Sequence, residues 1–306
     1  MAGTENVDSI DHYHDHPHAH ASEEGGLGLA FFLNLVFAGI ELIGGLWTNS
    51  IAIVSDAVHD FGDSLSIAFA WTMERLSGRR ASPSLTYGYR RYRLLGALVT
   101  GLVLLLGSGL ILAEAIPRLF QPEDVEARGM LPLAVLGIAV NAIAAFRLRK
   151  STGANRRIVA IHLLEDILGW VGVLIVSVVL LFVDLPILDP ILSLAITLFI
   201  IARILPTLVR VTKVLLQHAP PELQAEKLRD AIGALPGVAD VHHVHVWTLD
   251  GEYHLLSAHV AMTENPTLEE LEEIKHQAKT ILADHGVDHV TLEFEPALSG
   301  CKDCDL

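Results

Sequence analysis

The sequence predicts an α-helical membrane protein, a bundle of six transmembrane helices followed by a small α+β domain outside the bilayer. Three observations carry this. The 306 residues are 51% hydrophobic and 19% charged, and the apolar residues concentrate between about 27 and 213. There they gather into six runs long enough to cross a bilayer core, which takes about 20 helical residues. Charge divides the chain at the same places: residues 1–26 hold six acids and no Lys or Arg, residues 214–306 hold 17 acids against five bases, and the middle carries 13 acids and 16 bases. The flanks therefore set the net charge of −15. A field of that sign repels polyanions and attracts cations, so nucleic acid is not an expected partner.

The spans fall at about 27–47, 50–74, 94–116, 130–148, 158–183 and 187–212. Bases fix their direction. Arg75, Arg79, Arg80, Arg90, Arg91 and Arg93 lie between spans two and three, and Arg147, Arg149, Lys150, Arg156 and Arg157 lie between four and five. Arg210 and Lys213 close span six, whereas the alternate connections hold only Arg118 and Arg128. Positive residues stay inside, which predicts a multi-pass protein with both termini cytosolic, in the inner or plasma membrane if the cell is bacterial. The acidic N-terminus lacks the basic region of a secretory signal, so the first apolar run is expected to remain as a helix. Asn34, Glu41 and Asn141 are polar residues within spans, read as interhelical hydrogen-bonding groups. Gly44, Gly45, Gly62, Gly101 and Gly107 allow close helix approach.

Four regions follow: a disordered His-rich tail at 1–26, the membrane domain at 27–213, a cytosolic domain at 214–296 and a tail at 297–306. In the cytosolic domain, Pro221–Leu235 reads as a helix stopped by Pro236-Gly237. Val238–Leu249 and Tyr253–Met262 read as strands joined across Asp250-Gly251. Thr267-Leu-Glu-Glu270 is a capping box opening a second helix that ends near Gly286, and Val290–Glu295 is a third strand. The order αββαβ predicts a two-layer sandwich with its helices on one face of the sheet.

Span two reads Ser55-Asp-Ala-Val-His59-Asp60-Phe-Gly-Asp63. An acid at mid-bilayer costs about 2.5–3.5 kcal/mol on insertion scales, so several together call for a function. His59 and Asp63, four apart, stand above one another on one helix face. Span five repeats the spacing with His162 and Asp166, and the two spans run antiparallel. Two imidazoles and two carboxylates make a tetrahedral N₂O₂ set suited to zinc, and pure oxygen cages would suit magnesium, calcium or manganese better. The same set serves cadmium, cobalt and iron(II). Asp56, Asp60 and Glu165 are candidates for an outer shell or a proton relay.

These residues resemble the cation diffusion facilitator family, specifically its zinc-type branch. Ser50 to Asp63 is similar to the family's second-helix motif and His162-x-x-x-Asp166 to its fifth-helix motif. Tyr87-Gly-Tyr-Arg90, Asp189-Pro-Ile-Leu-Ser and Leu235-Pro-Gly-Val…His-Val-Trp247 also match, so the likeness runs from about 27 to 296. The resemblance implies a transport site of His59, Asp63, His162 and Asp166, exchange of zinc for protons, and a homodimer formed through a ferredoxin-like cytosolic domain. Glu165 departs from the pattern, which usually has a small residue before Asp166. The connection between spans four and five also lacks the histidines found in many relatives.

Further donors lie outside the membrane. His12, His14, His16, His18 and His20 alternate in the N-terminal tail and can capture metal weakly. The resemblance suggests His242, His259 and Glu295 as a regulatory site, while His243, His245 and Trp247 share a strand face by parity. Cys301 and Cys304 form a CxxC with the spacing of two zinc ligands, reduced if the tail is cytosolic. The reading is therefore export of a zinc-like divalent cation by alternating access, with no enzymatic activity and no small organic substrate. Two other classes stand beside it: an intramembrane metalloenzyme, which needs an open water position and lacks an HExxH here, and a membrane metal sensor without flux.

Overall fold

The computed structural model describes residues 20–77, 82–148, 156–263 and 266–296, and at 20–30, 74–75, 77, 147–148 and 156–162 it describes the backbone alone. Six long helices come first: α1 (His20–Thr48), α2 (Ile51–Ser77), α3 (Tyr92–Phe120), α4 (Ala127–Leu148), α5 (Arg156–Phe182) and α6 (Leu188–Leu215). The α1 helix starts at His20, so residues 20–26, expected in the tail, are helical. At the other end α6 continues past the expected boundary at 213. Among the described residues, five of the six are long and apolar enough to span a membrane. The other, α2, has the length but carries Asp56, Asp60 and Asp63 in its first half.

Packing follows side-chain size. Ala52 and Ile53 of α2, Met130 and Ala134 of α4, and Trp170 and Val173 of α5 form one buried cluster. A Cβ at Gly137 would collide with the Trp170 ring, so glycine is what lets α4 meet α5 there. Outward-facing residues are apolar too: Leu106, Leu110 and Phe182 are 72%, 74% and 84% exposed. Such a surface suits hydrocarbon rather than water.

Polar groups tie the helices together. Ser50 Oγ donates to Asp189 Oδ1 at 2.5 Å and the Ile51 N–H donates to Asp189 Oδ2 at 2.7 Å, so α6 caps the N-terminus of α2. Ser55 and Thr197 pair at 2.9 Å. The Asn34 amide donates to the Asp60 carbonyl at 3.0 Å and to Ser64 Oγ at 3.2 Å, linking α1 to α2 as expected of it. Asn141 instead donates to Gly137 in its own helix. Glu41 is buried.

The C-terminal part is α7 (Ala225–Gly233), β1 (Val238–Thr248), β2 (His254–Met262), α8 (Leu268–Asp284) and β3 (His289–Pro296). The first helix is shorter than expected, because Pro220 and Pro221 precede a turn and the helix opens only after Gln224. The Thr267 capping box closes on Glu270 in both directions. Strand order is β1-β2-β3, with β1 antiparallel and β3 parallel to β2. A parallel pair needs a crossover, and α8 supplies it. Leu256, Ala258, Val260 and Met262 of β2 join Leu228 and Ile232 of α7 and Ala278 and Leu282 of α8 in one core. Both helices therefore cover the same face of the sheet, and the other face carries His242 and His259.

Candidate metal sites

The first site lies where α2 crosses α5. His59 Nε2 is 3.7 Å from Asp63 Oδ2 on its own helix and 3.8 Å from Asp166 Oδ1 on α5. One turn toward the α2 N-terminus, a Cβ at Gly169 would sit 3.5 Å from Asp56 Oδ1. The antiparallel run thus sets residue 56 against 169 and 59 against 166, and its continuation puts the backbone of His162 level with Asp63. The His162 side chain lies outside what the structure describes. Asp56, Asp60 and Asp166 are buried, while His59 and Asp63 are partly accessible. A cavity of about 450 Å³ opens between α2, α5 and α6, with Asp56, His59, Glu165 and Asp166 in its wall. Imidazole and carboxylate groups converging on such a cavity can coordinate a divalent cation.

Glu165 is not turned loose in that cavity, because it forms an ion pair with Arg203 of α6. Arg203 escaped the sequence reading, which assigned bases only to the helix ends. The signal was there: within Leu188–Val209 it is the single base, and a base inside a span calls for a partner.

The second site is on the uncovered face of the sheet. His242, His259 and Glu295 offer donor atoms that all lie within 4.8 Å of one another. Glu295 Oε1 is 2.7 Å from His259 Nδ1, and Glu295 Oε2 is 3.5 Å from His242 Nε2. Glu293 and Asp240 flank the group, at 3.6 Å from His259 and 3.0 Å from His242. Two nitrogens and one oxygen at this spacing fit a zinc ion with one further position filled from elsewhere.

Register explains the gathering. His242 pairs with His259, but a β-bulge intervenes before His245 pairs with Ser257 and Trp247 with Leu255. Simple alternation sets His242 on the face opposite to His243, His245 and Trp247. The bulge, with His243 at φ 52°, returns His242, His245 and Trp247 to one face. The His243 ring also stands 4.8 Å from that of His259 and 4.4 Å from that of His245.

The remaining predicted donors are not part of either site as described. His12, His14, His16, His18, Cys301 and Cys304 lie outside the described residues, and His20 is described only as backbone in α1.

The two halves touch through the segment before α3. Arg90 Nη1 lies 3.4 Å from Asp250 Oδ2, and its guanidinium sits 4.6 Å from the Tyr253 ring centroid. Arg93 reaches Glu252 at 3.4 Å, and Tyr87 meets His289 edge-on at 6.0 Å. Asp250 is buried and accepts from the backbone N–H groups of Glu252 and Tyr253. Burial acts to raise its carboxyl, but those two N–H groups and the Arg90 charge outweigh it, leaving the carboxyl below the ordinary aspartate value.

Residues 27–216 match the cation efflux transmembrane domain, and residues 220–297 match the cation efflux protein cytoplasmic domain. A cadmium, cobalt and zinc/H(+)-K(+) antiporter of Bacillus velezensis is 31% identical over 292 residues, covering 93% of this chain and 92% of that relative. The metal cation efflux system protein CzcD of Cupriavidus metallidurans is 32% identical over 299 residues, with 96% and 92% covered. The zinc transporter ZitB of Escherichia coli is 31% identical, with 96% of each chain covered.

Proposed function

The chain belongs to the cation efflux family, that is, the cation diffusion facilitator family, in its zinc-type branch, and on that premise we propose that it carries zinc out of the cytosol in exchange for protons. Divalent metal efflux, by a transporter rather than an enzyme, is what membership in the family means. Zinc as the cargo is supported by the relatives' names and by the mixed nitrogen and oxygen donors at the α2–α5 crossing. The observation that carries the reading is His59 standing between Asp63 and Asp166 inside a membrane bundle.

In this reading all six helices span, α2 being tolerated because its acids face the bundle interior. Both termini are cytosolic. His59, Asp63, His162 and Asp166 hold the ion, and Asp56 and Asp60 serve as outer-shell partners. The acidic cytosolic parts raise the local cation concentration. Protonation and metal ligation compete for the same imidazole nitrogen near neutral pH, so a proton arriving from outside displaces the metal once the helices have rocked. The αββαβ domain is read as ferredoxin-like and as the dimer contact. In it His242, His259 and Glu295 bind a regulatory zinc ion. The segments 1–19 and 297–306 are read as metal-capturing tails through the histidines of the first and Cys301 and Cys304 of the second.

The test is zinc uptake into proteoliposomes holding the full chain. Wild type is expected to move zinc, and Asp63→Ala and Asp166→Ala are expected to reduce that flux to the level of empty vesicles. Undiminished flux in either variant places the site elsewhere.

A further inference from the structure

The transport reading leaves one charged pair unused. Glu165 lies in the wall of the 450 Å³ cavity, next in sequence to Asp166, and its partner Arg203 comes from α6, the helix that supplies another wall of that cavity. Arg203 is also held by Phe199 one turn earlier, with its guanidinium carbon 5.7 Å from the ring centroid. Phe199 lines the cavity as well. At 1.5 Å per residue, Arg203 is about 18 Å from the C-terminus of α6, well inside the span.

Charge arithmetic gives the pair a role. The proposed ligand set of two neutral imidazoles and two carboxylates balances one divalent ion. Asp56 already lines the same cavity, so Glu165, left free, adds still more negative charge and one more oxygen donor beside the ion, which favours harder ions such as manganese(II). A guanidinium presents a planar fork that fixes a carboxylate in place. Engaged by Arg203, the Glu165 carboxylate has its charge matched and its oxygens directed to α6.

We infer that the Glu165–Arg203 pair is a specificity device of the transport site, in which Arg203 keeps the extra carboxylate from acting as a ligand and so limits the oxygen donors and negative charge that face the ion. Arg203 acts through Glu165 and is a positioning residue. This rests on the transport reading above.

A double-mutant cycle in full-length protein in proteoliposomes tests it, with zinc and manganese flux measured for wild type, Glu165→Gln, Arg203→Gln and the double variant. Arg203→Gln frees Glu165: the manganese-to-zinc flux ratio rises about tenfold, and both KM and kcat for zinc fall as the ion is held more tightly, tenfold corresponding to about 1.4 kcal/mol. Glu165→Gln leaves an unmatched cation beside the cavity and raises the zinc KM by about the same factor. The double variant returns ratio and KM to within about twofold of wild type. A bond that merely joins α5 to α6 would lower thermal stability in each variant without moving the metal ratio. If Arg203→Gln does not yield monodisperse protein, the KM difference between Glu165→Gln and the double variant decides alone. Wild-type flux with additive or absent effects on KM and ratio overturns the inference and spares the transport reading. Absence of any wild-type metal flux overturns both.

Discussion

His59 is the residue through which α2 and α5 communicate, because its Nε2 lies within 4 Å of carboxylates on both helices. Where α4 meets α5, packing leaves little slack. Gly137→Leu drives a side chain into the Trp170 ring, and overpacking of this kind costs about 1–3 kcal/mol. The expected result is a lower thermal midpoint in detergent with the protein still helical. At the sheet, Glu295→Gln or His259→Ala removes one donor of three. Zinc affinity at the proposed regulatory site is then expected to fall by at least about 10–100-fold, the loss that follows removal of an outer-shell partner. Titration calorimetry on the full chain in an Asp63→Ala background isolates this site from the membrane one.

At the scale of elements, the segment before α3 and the β1–β2 turn form the clamp between the two halves. Tyr87-Gly-Tyr-Arg90 was a motif without a task in the sequence, and the structure gives it one in Arg90 against Asp250 and Tyr253. Because the Asp250 carboxyl is lowered in the folded protein, its stabilisation is complete above the unfolded value of about 3.9. It is lost as pH falls through the depressed folded value. Asp250→Asn is therefore expected to lower the thermal midpoint at pH 7, with the gap to wild type closing below about pH 3.9. A gap independent of pH would mean that the turn geometry, not the charge, holds the clamp. The capping box of α8 is a second element-scale device. Thr267→Ala removes the side chain that accepts from Glu270, a change worth about 1 kcal/mol, read as lost helix protection in hydrogen exchange.

At the scale of the whole molecule, acidic N- and C-terminal stretches of sequence flank a helical bundle whose outer surface is apolar. Flux coupled to protons predicts that zinc uptake accelerates with a pH gradient acid on the receiving side and slows when a protonophore collapses it. The proposed homodimer predicts a particle mass of two chains in nanodiscs. Loss of flux coupling with retained zinc movement would separate efflux from antiport.

What the sequence determined by itself was whatever depends on local periodicity. Six apolar runs, alternate basic connections and the i, i+4 spacing of His59 with Asp63 and His162 with Asp166 are all one-dimensional signals. They sufficed for the helical membrane bundle and, in α2 and α5, for bringing His59, Asp63 and Asp166 together. The αββαβ order was legible for the same reason, although Pro220 and Pro221 delay α7, and in the bundle α1 begins earlier, at His20, and α6 runs on to Leu215. The cytosolic triad was not legible from residues, and its members came from resemblance alone. A single extra residue in β1 reverses which face His242 presents, and no alternation rule carries through a bulge. Arg203 was missed because its meaning lies in a partner on another helix. Only the tertiary structure decides such pairs, since the distance between α5 and α6 is set by packing rather than by anything written along either one.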